Sequence, residues 1–384
     1  MSNTSGSRIL GKLDIVSEDR SWSYLLIAMI AVLLLVLRAP DALLSPEFWA
    51  EDGVDYWTDQ FQNPFAIFTP STGYLAAAPR LVALVADLFP STLAPVLFNW
   101  LTIAFMGWLY YSIASLKIPY VQFLPIVMAL TPTTGEILIN ATNIQWHLAL
   151  LIPLSAYSPL SNNGRVLLGI AALTGPFSIL ALPVWALRFR TADRLGLAIV
   201  IAAAAIQIVT MLLTPQKIYA ETGLSIWINM VDSLRQTFGV LTGERHYILS
   251  LVMLAAVVWL SRNSPVFWGA LGFSVLVIAM ANARFPMAPV FQGYGGARYF
   301  FMLNALSIWS LCASAYRAGN DRTIALIALG VVIGSYQPHL FRRAPLPATE
   351  WPEFATSVES GTPATVRVTP FTLKYDGENF EVLP

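Results

Sequence analysis

A succession of apolar runs, each near the length that a helix needs to cross a bilayer, is the feature that most restricts how this chain can fold. A transmembrane helix needs about 20 mostly apolar residues. Hydrophobic residues make up 56% of the 384 residues and charged residues 11%, and the mean hydropathy is +0.63. This composition is too apolar for a soluble domain. It predicts an all-α polytopic membrane protein.

The hydrophobic runs predict about 11 transmembrane helices. The predicted spans are 23–38, 75–89, 95–115, 118–131, 143–158, 166–187, 195–213, 246–260, 265–282, 299–315 and 323–336. No small-residue cleavage site follows the first run, so we expect a retained span and not a signal peptide. Residues 1–337 are predicted to form one transmembrane domain and residues 338–384 a short C-terminal tail.

The basic residues predict the orientation of the bundle. They form four groups that fall on one side when the spans alternate, and the positive-inside rule places that side in the cytoplasm. These groups are Arg8, Lys12 and Arg20; Arg188, Arg190 and Arg194; Arg262; and Arg317 with Arg322. The N-terminus is then cytoplasmic, and the first loop, 39–74, and the tail are external.

One stretch does not fit simple alternation, which puts residues 131–142 on the cytoplasmic side and Lys117 outside. An alternative divides 166–187 into two half-helices that are broken at Gly175-Pro176 and re-enter from one side. Broken helices in membranes normally line a cavity. The sequence leaves both arrangements open.

Two external segments and the tail carry their own patterns. Residues 54–68 and 224–241 interleave aromatic and polar residues at helical spacing, which predicts interfacial helices. The tail contains a β-like run, 365–375, before an Asp376-Gly377 turn. We expect this short tail to pack on the external face of the bundle.

Two adjacent acids follow the first apolar run, in the segment Phe48-Trp49-Ala50-Glu51-Asp52-Gly53. An acidic pair among aromatics at the mouth of a membrane bundle favours a functional role. A carboxylate partly shielded by Trp49 and its aromatic neighbours is able to accept a proton from a sugar hydroxyl. The alternative is that both acids only stabilise the first turn of the helix that follows.

Two arginines are candidates for binding an anion. The segment Gly293-Tyr294-Gly295-Gly296-Ala297-Arg298-Tyr299 precedes the tenth span, and its glycines allow close approach of the backbone to a ligand. The Arg298 guanidinium suits phosphate oxygens, unless it only anchors the helix at the interface. Arg80 lies inside an apolar stretch and needs an anionic partner, either an acid of the first loop or a ligand phosphate.

A cluster of amides and aromatics, Asn140, Asn143, Trp146 and His147, offers groups that hydrogen-bond to sugars or stack on them. These side chains are predicted to line the substrate site if their loop is external. They are equally able to tie helices together.

The sequence gives little support for a nucleic-acid partner or a metal site. The formal net charge is zero, which argues against a nucleic-acid partner. The single cysteine, Cys312, and the scattered His147, His246 and His339 form no recognised metal motif. Metal ligation is therefore not predicted, although a requirement for a divalent metal is left open.

These features together resemble the GT-C superfamily, the multi-span glycosyltransferases that use polyprenyl-phosphate-linked sugars. The likeness rests on the acidic pair in a first external loop with juxtamembrane helices, on Arg298 at an external helix mouth and on the small external tail. It is closest to the bacterial branch that modifies O-antigen or other surface glycans. The resemblance implies an enzyme of the bacterial inner membrane whose active site faces the periplasm.

The resemblance also implies a role for each candidate residue. Asp52 would be the general base and Glu51 would orient the acceptor, while Arg298 with Tyr299, and Arg80, would hold the donor phosphate. Trp49 and Tyr294 would line the substrate site. The base deprotonates a hydroxyl of a glycan or lipid-linked acceptor, which attacks the anomeric carbon as the lipid phosphate leaves.

The rival class is a transporter or flippase of a lipid-linked saccharide, which would use the same arginines and aromatics without a base. Such transporters carry internal repeats and charged residues at mid-bilayer on several spans. The sequence shows no repeat and few such charges, which favours the enzyme. A purely structural membrane subunit is a third possibility, but the concentration of charge on one face argues against it.

Overall fold

The computed structural model describes residues 20–132, 135–214, 247–284, 298–317, 319–335 and 341–383. These residues form a mostly helical protein with a small C-terminal sheet. The α-helices are α1 Arg20–Arg38, α2 Asp41–Leu44, α3 Thr58–Gln62, α4 Ala77–Ala86, α5 Ala94–Ala114, α6 Leu124–Leu130, α7 Ile144–Ser155, α8 Asn162–Ala172, α9 Phe177–Leu187, α10 Arg194–Leu213, α11 Tyr247–Ser261, α12 Pro265–Arg284, α13 Phe301–Tyr316, α14 Asn320–Gly334 and α15 Trp351–Glu359. A π-helix at Asp52–Trp57 precedes α3, and short 3-10 helices lie at Ala66–Phe68, Ser91–Leu93, Val121–Phe123 and Gly135–Ile137.

Among the described residues, four helices are long and apolar enough to cross a membrane. Their segments are Ser21–Arg38, Ser91–Ala114, Arg194–Leu213 and Arg298–Tyr316. Helix α1 shows how such a helix divides its surface, because Ala28, Ala31 and Leu35 are buried while Met29 and Leu33 are exposed. Small residues that face neighbouring helices and large apolar residues that face outward are typical of a helix surrounded by lipid. The apolar helices therefore support a membrane protein.

The contacts divide the bundle into two ends. At the end we call the Asp52 end, the Asp52 carboxylate accepts hydrogen bonds from residues 141–142, and the Trp351 indole of the tail donates to the carbonyl of Ser91. At the other end, the basic end, the Arg188 guanidinium lies over the Tyr157 ring, whose hydroxyl donates to the carbonyl of Pro265. The basic groups at 188–194, 262 and 317–322 all lie at or beside this second end, in agreement with the predicted grouping.

The predicted second span, 75–89, does not traverse the bundle. Helix α4 has 10 residues and is therefore about 15 Å long, and its contacts show which end of the bundle it reaches. Asp87, just beyond it, accepts a hydrogen bond from the Gln60 side chain of α3 at 3.3 Å. Ser91 then contacts the tail, because its amide donates to the Glu359 carboxylate and its carbonyl accepts from the Trp351 indole. Helix α4 begins inside the bundle, where Ala76 pairs with Thr174, and it ends at the Asp52 end, to which the chain therefore returns.

Simple alternation of spans was wrong for residues 131–142, because α4 does not cross. This loop lies at the Asp52 end, where it contacts the first loop. The Lys117 amide, in contrast, donates to the Ser158 hydroxyl at 2.8 Å at the basic end. Lys117 therefore lies at the same end as the other basic groups, as the positive-inside rule favours.

The segment 166–187 is interrupted, as the alternative arrangement predicted. Helices α8 and α9 have 11 residues each and are separated at 173–176, where Gly175 has a φ of +86°. Their outer ends lie at the basic end, because Arg165 pairs with Asp193 at 3.0 Å and Arg188 packs on Tyr157. The pair therefore enters the bundle and returns at the same end.

The Gln207 side chain of α10 joins this interruption to the first loop. Its amide nitrogen donates to the carbonyls of Leu75 and Gly175 at 3.0 Å, and its amide oxygen accepts from the Leu75 amide at 3.0 Å. The residue is completely buried. It satisfies backbone groups of Gly175, in the interruption, and of Leu75, before α4, that have no partner within a helix.

The C-terminal tail packs against the first loop, in line with its predicted position on the bundle. Strands β1 Ala364–Val368, β2 Phe371–Tyr375 and β3 Phe380–Leu383 form an antiparallel sheet in the order β1-β2-β3. The predicted turn at Asp376-Gly377 connects β2 to β3. Trp351 contacts the rings of Phe48 and Trp57 at centroid distances of 4.5 and 4.7 Å. Loop and tail thus share one apolar core, which neither is long enough to build alone.

The predicted interfacial helix 54–68 is helical in part but does not present one continuous face to lipid. Tyr56 and Trp57 are buried in the core shared with the tail, whereas Phe65 and Phe68 are more than 70% exposed. The other predicted interfacial helix, 224–241, lies outside the described residues.

Candidate functional site

The two acids of the first loop stand at a sharp change in backbone direction. Ala50, just before them, has a φ of +38°, a conformation that is rare for residues other than glycine. Its amide donates to the carbonyl of Thr369 in the tail at 2.9 Å, so the tail fixes this turn. The π-helix begins at Asp52, directly after Glu51. The turn therefore fixes the backbone of both acids, but their two carboxylates lie in different environments.

Asp52 connects the first loop to the loop 135–143. Its carboxylate accepts hydrogen bonds from the Ala141 amide at 3.0 Å, the Thr142 amide at 2.7 Å and the Thr142 hydroxyl at 2.5 Å. The residue is only 2% exposed. Burial raises the pKa of Asp52 from 3.8 to about 7, although these three hydrogen bonds lower it and the Glu51 carboxylate raises it further.

Glu51 is half-buried and lies close enough to several other acids to act on their protonation. The pKa of Asp55 is raised to about 6 by burial first and then by Glu51 and Asp59, against the lowering effect of Arg80. The pKa of Glu136 is raised by burial, with Arg298 lowering it and Glu51 raising it. Within the described part of the chain, the Glu51 carboxylate has neither a hydrogen bond nor an ion pair. It is the acid of this group that remains available to a ligand.

Arg298 and Tyr299 lie at the same end of the bundle as the acidic pair. The Arg298 Nη1 atom is 3.9 Å from a carboxylate oxygen of Glu136, a contact between charges that is too long for a hydrogen bond. The guanidinium lies over the Tyr299 ring at 5.5 Å, and that ring packs edge-on against Trp146 at 4.9 Å. Glu136 and Glu51 both act electrostatically on Arg298, so the three side chains belong to one electrostatic cluster.

Arg80 has the structural ion pair that the sequence left as one of two alternatives. Its Nη2 atom is 2.6 Å from an Asp59 oxygen, its Nε atom donates to the carbonyl of Thr69 at 3.2 Å, and its guanidinium lies 4.9 Å from the centre of the Tyr56 ring. The side chain is fully buried. Donor-phosphate contact by Arg80 is therefore not favoured, because its charge is already neutralised inside the first loop.

The four side chains predicted to line the substrate site are buried and serve the loop 135–143 itself. The side-chain amides of Asn140 and Asn143 donate to the carbonyl of Glu136, and the Trp146 indole donates to the Asn143 side chain at 3.2 Å. The ring nitrogens of His147 are 3.3 Å from the Tyr110 hydroxyl and the Ile137 carbonyl. These contacts correct the prediction, because they commit the polar atoms to internal partners and give the four residues a role in shaping the loop.

Of the two aromatic residues predicted to line the site, Trp49 is half-buried beside the acidic pair. Tyr294 and the glycines around it lie outside the described residues.

Sequence reasoning missed the residues that hold the tail to this end. The Arg343 side chain is buried, its Nη2 atom is 2.5 Å from an Asp41 oxygen, and its Nη1 atom donates to the carbonyl of Leu138. The Arg38 guanidinium donates to the carbonyls of Ala129 and Phe341 at 2.6 and 2.7 Å. Only the position of Asp41 and Arg38 at the end of the first apolar run could have hinted at such partners. Their distant partners became apparent only in the fold.

In the ranges that the structure describes, no group of three or more His, Cys, Asp or Glu side chains could hold a metal ion. No protein-family model matches the chain, and neither a curated protein nor a solved structure shows significant similarity to it. The chemistry of the site must therefore be argued from its own residues.

Proposed function

We propose that this protein is an integral-membrane glycosyltransferase of the GT-C type, which transfers a sugar from a polyprenyl-phosphate donor to a glycan or lipid-linked acceptor at the periplasmic face of the bacterial inner membrane. The observation that carries the proposal is that Glu51, which has no partner among the described residues, shares one electrostatic cluster with Arg298 and Glu136, beside the buried Asp52. Acceptor activation needs a carboxylate, and departure of a lipid phosphate needs a cation.

The contacts support a different division of roles within the acidic pair from the one that the sequence favoured. Both oxygens of Asp52 already accept hydrogen bonds from residues 141–142. Glu51 is more exposed and has no such partner among the described residues. We therefore assign acceptor deprotonation to Glu51, and we assign to Asp52 the positioning of the loop that carries Glu136.

The arrangement of helices in the membrane belongs to the same proposal. With α4 returning at the Asp52 end and α8–α9 returning at the basic end, nine of the eleven predicted spans remain as crossings. The N-terminus is then cytoplasmic and the tail periplasmic, as the basic residues require. The polyprenyl chain stays in the bilayer while its sugar reaches the cluster around Glu51.

The test is transfer by the purified full chain in nanodiscs, supplied with individual short-chain polyprenyl-phosphate hexoses and a surface-glycan extract. Release of polyprenyl phosphate is measured, because this product forms whatever the acceptor is. We expect Glu51→Gln to lower turnover by about 10²–10⁴-fold, as loss of a general base does. Arg298→Ala should also lower turnover, because the leaving phosphate loses its cation.

Matched controls separate these effects from loss of charge alone. Glu353→Gln and Arg342→Ala change exposed residues of the tail and should leave turnover unchanged. If the folded Glu51→Gln and Asp52→Asn variants both keep near-wild-type turnover, the acidic pair is not catalytic.

A flippase of a lipid-linked saccharide is the second candidate, and the interrupted helices α8 and α9 favour it. Broken helices line substrate pathways in transporters. The two candidates are distinguished by measuring translocation of a fluorescent lipid-linked saccharide in vesicles alongside release of polyprenyl phosphate. Translocation without release, unaffected by Glu51→Gln, would favour the flippase.

A further inference from the structure

A cavity of about 200 Å³ lies at the basic end, on the opposite side of the bundle from the acidic pair. It is bounded by residues 118–119, by the turn between α11 and α12 and by the last turns of α13. Its polar lining comes mainly from Ser261, Asn263, Ser310, Ser314 and Arg317, and the described lining residues include no acid. The proposed glycosyl transfer does not use this cavity.

The lining offers hydroxyl groups as hydrogen-bond donors. The Ser314 side chain is buried, lines the cavity and has no side-chain hydrogen bond to another described residue. The hydroxyls of Ser261 and Ser310 are hydrogen-bonded to each other. The cavity also contains the first residues of α12, which begins at Pro265, and a helix N-terminus favours negative charge. Hydroxyls, a helix N-terminus and an arginine together suit an anion.

The charge of Arg317 is left for such an anion. Arg262, at the same end of the bundle, pairs with Asp321 at 3.2 Å. Arg317 has no ion pair with any described residue, and its guanidinium lies over the Tyr120 ring at 5.1 Å. The Tyr120 ring positions the guanidinium without neutralising its charge, so the charge is available to bind an anionic group.

The surroundings of the cavity indicate a lipid and not a dissolved ion. Trp259, Trp268 and Tyr316, on the three helix ends that meet here, are 54%, 40% and 70% exposed. Exposed tryptophan and tyrosine side chains are typical of the headgroup level of a membrane. Basic pockets between transmembrane helices on the cytoplasmic side are suited to anionic lipid headgroups.

We propose that this cavity binds the phosphate headgroup of an anionic phospholipid, with Arg317 as the cation and Ser314 and Asn263 as hydrogen-bonding partners. The proposal is independent of the proposed glycosyl transfer. It requires only that the basic end lies at a membrane surface.

The test is native mass spectrometry of the full chain in detergent, titrated with short-chain phosphatidylglycerol or phosphatidylcholine. We expect preference for phosphatidylglycerol, and Arg317→Gln should weaken its binding by about fivefold, the effect of one basic residue near an anionic headgroup. Asn263→Asp adds an anion to an exposed lining position and should weaken binding as well. This variant keeps the test valid if Arg317→Gln fails to fold.

Arg322→Gln is the matched control, because it removes an exposed positive charge at the same end but outside the cavity. It should leave the affinity for phosphatidylglycerol unchanged. Equal weakening by both arginine variants would overturn the proposal in favour of diffuse surface charge. Thermal stabilisation by inorganic phosphate that matches stabilisation by the lipid would overturn it in favour of a free anion, and equal affinity for phosphatidylcholine would overturn the preference for anionic lipid.

Discussion

Asp52 has both oxygens bound by residues 141–142 and almost no contact with solvent, so its proton equilibrium is linked to folding. Its pKa is about 7 in the folded protein against 3.8 for the free side chain. When folding raises the pKa of a carboxyl group, the folded protein is more stable with that group protonated than with it ionised. Its contribution to stability is therefore fully present below pH 4 and is lost as the pH rises to about 7.

We predict that Asp52→Asn removes part of this pH dependence. In wild type, the difference in free energy of unfolding between pH 4 and pH 8 should include roughly 4 kcal/mol from Asp52, as an order of magnitude. The melting temperature in detergent, measured across this range, should decline less steeply for the variant. Asp55 and Glu136 shift in the same direction, so the difference between the two profiles isolates Asp52. Parallel profiles would contradict the prediction.

Gly135 provides a second prediction at the scale of one residue. A Cβ atom at this position would lie 2.6 Å from Cγ of Arg343, so an alanine side chain would displace the arginine from Asp41 and Leu138. Separating a buried ion pair leaves buried charge without a partner. We therefore expect Gly135→Ala to lower the free energy of unfolding by about 1–3 kcal/mol, in the range typical of overpacking.

Gly330→Ala is the control, because a Cβ there meets no atom within 4 Å and alanine favours a helix. It should be neutral or slightly stabilising. If Gly135→Ala is as stable as the control, the tail tolerates movement of Arg343.

At the scale of elements, helices α8 and α9 depend on a side chain from a third helix. The separation at 173–176 exposes backbone groups inside an apolar bundle, where water is not available to satisfy them. Gln207 supplies both donors and an acceptor, and it reaches the first loop at Leu75 as well as Gly175. Helix α10 therefore bridges Leu75, directly after the first loop, and the broken pair, in addition to the direct hydrogen bond from the Gly175 amide to the Leu75 carbonyl.

We predict that Gln207→Leu destabilises the protein by several kcal/mol. The variant leaves the amide of Leu75 and the carbonyl of Gly175 without a partner, whereas the Leu75 carbonyl keeps the Gly175 amide. Each buried unsatisfied group costs about 1–3 kcal/mol. Thermal unfolding in detergent measures the effect.

Thr210→Val provides the comparison on the same helix, since its hydroxyl bonds only to Ile206 within its own helix. It should shift the melting temperature little. A similar small shift for Gln207→Leu would show that the interruption does not need the amide.

At the scale of the whole molecule, the number of crossings is open to a direct test. Nine crossings place Ser45 and Leu88 on one side of the membrane and Thr191 on the other, whereas a crossing at 75–89 would separate the first two. All three side chains are exposed. Single cysteines at these positions, in a chain with Cys312 replaced by serine, are therefore suitable for labelling with a membrane-impermeant maleimide.

We predict that intact cells label Ser45→Cys and Leu88→Cys but not Thr191→Cys, and that all three react after permeabilisation. Labelling of position 191 together with position 45 would contradict the assignment of the basic end to the cytoplasm. Labelling of position 45 without position 88 would restore the crossing by α4.

The amino-acid sequence by itself indicated a membrane protein, the positions of most helices and the grouping of basic residues at one end, because apolar run length and the distribution of arginine are properties of short segments. It also identified Glu51, Asp52 and Arg298 as unusual charges. Only the tertiary structure decided that α4 returns to the Asp52 end, since an apolar run of 15 residues does not reveal whether its helix crosses the bundle. Only the tertiary structure decided which charges are already paired. Arg80 meets Asp59 and Arg343 meets Asp41, whereas Arg317 faces a cavity without an ion-pair partner among the described residues. A charged side chain is available to a ligand only if no other side chain pairs with it. Such pairs form between residues that are far apart in the sequence, so the sequence alone does not reveal them.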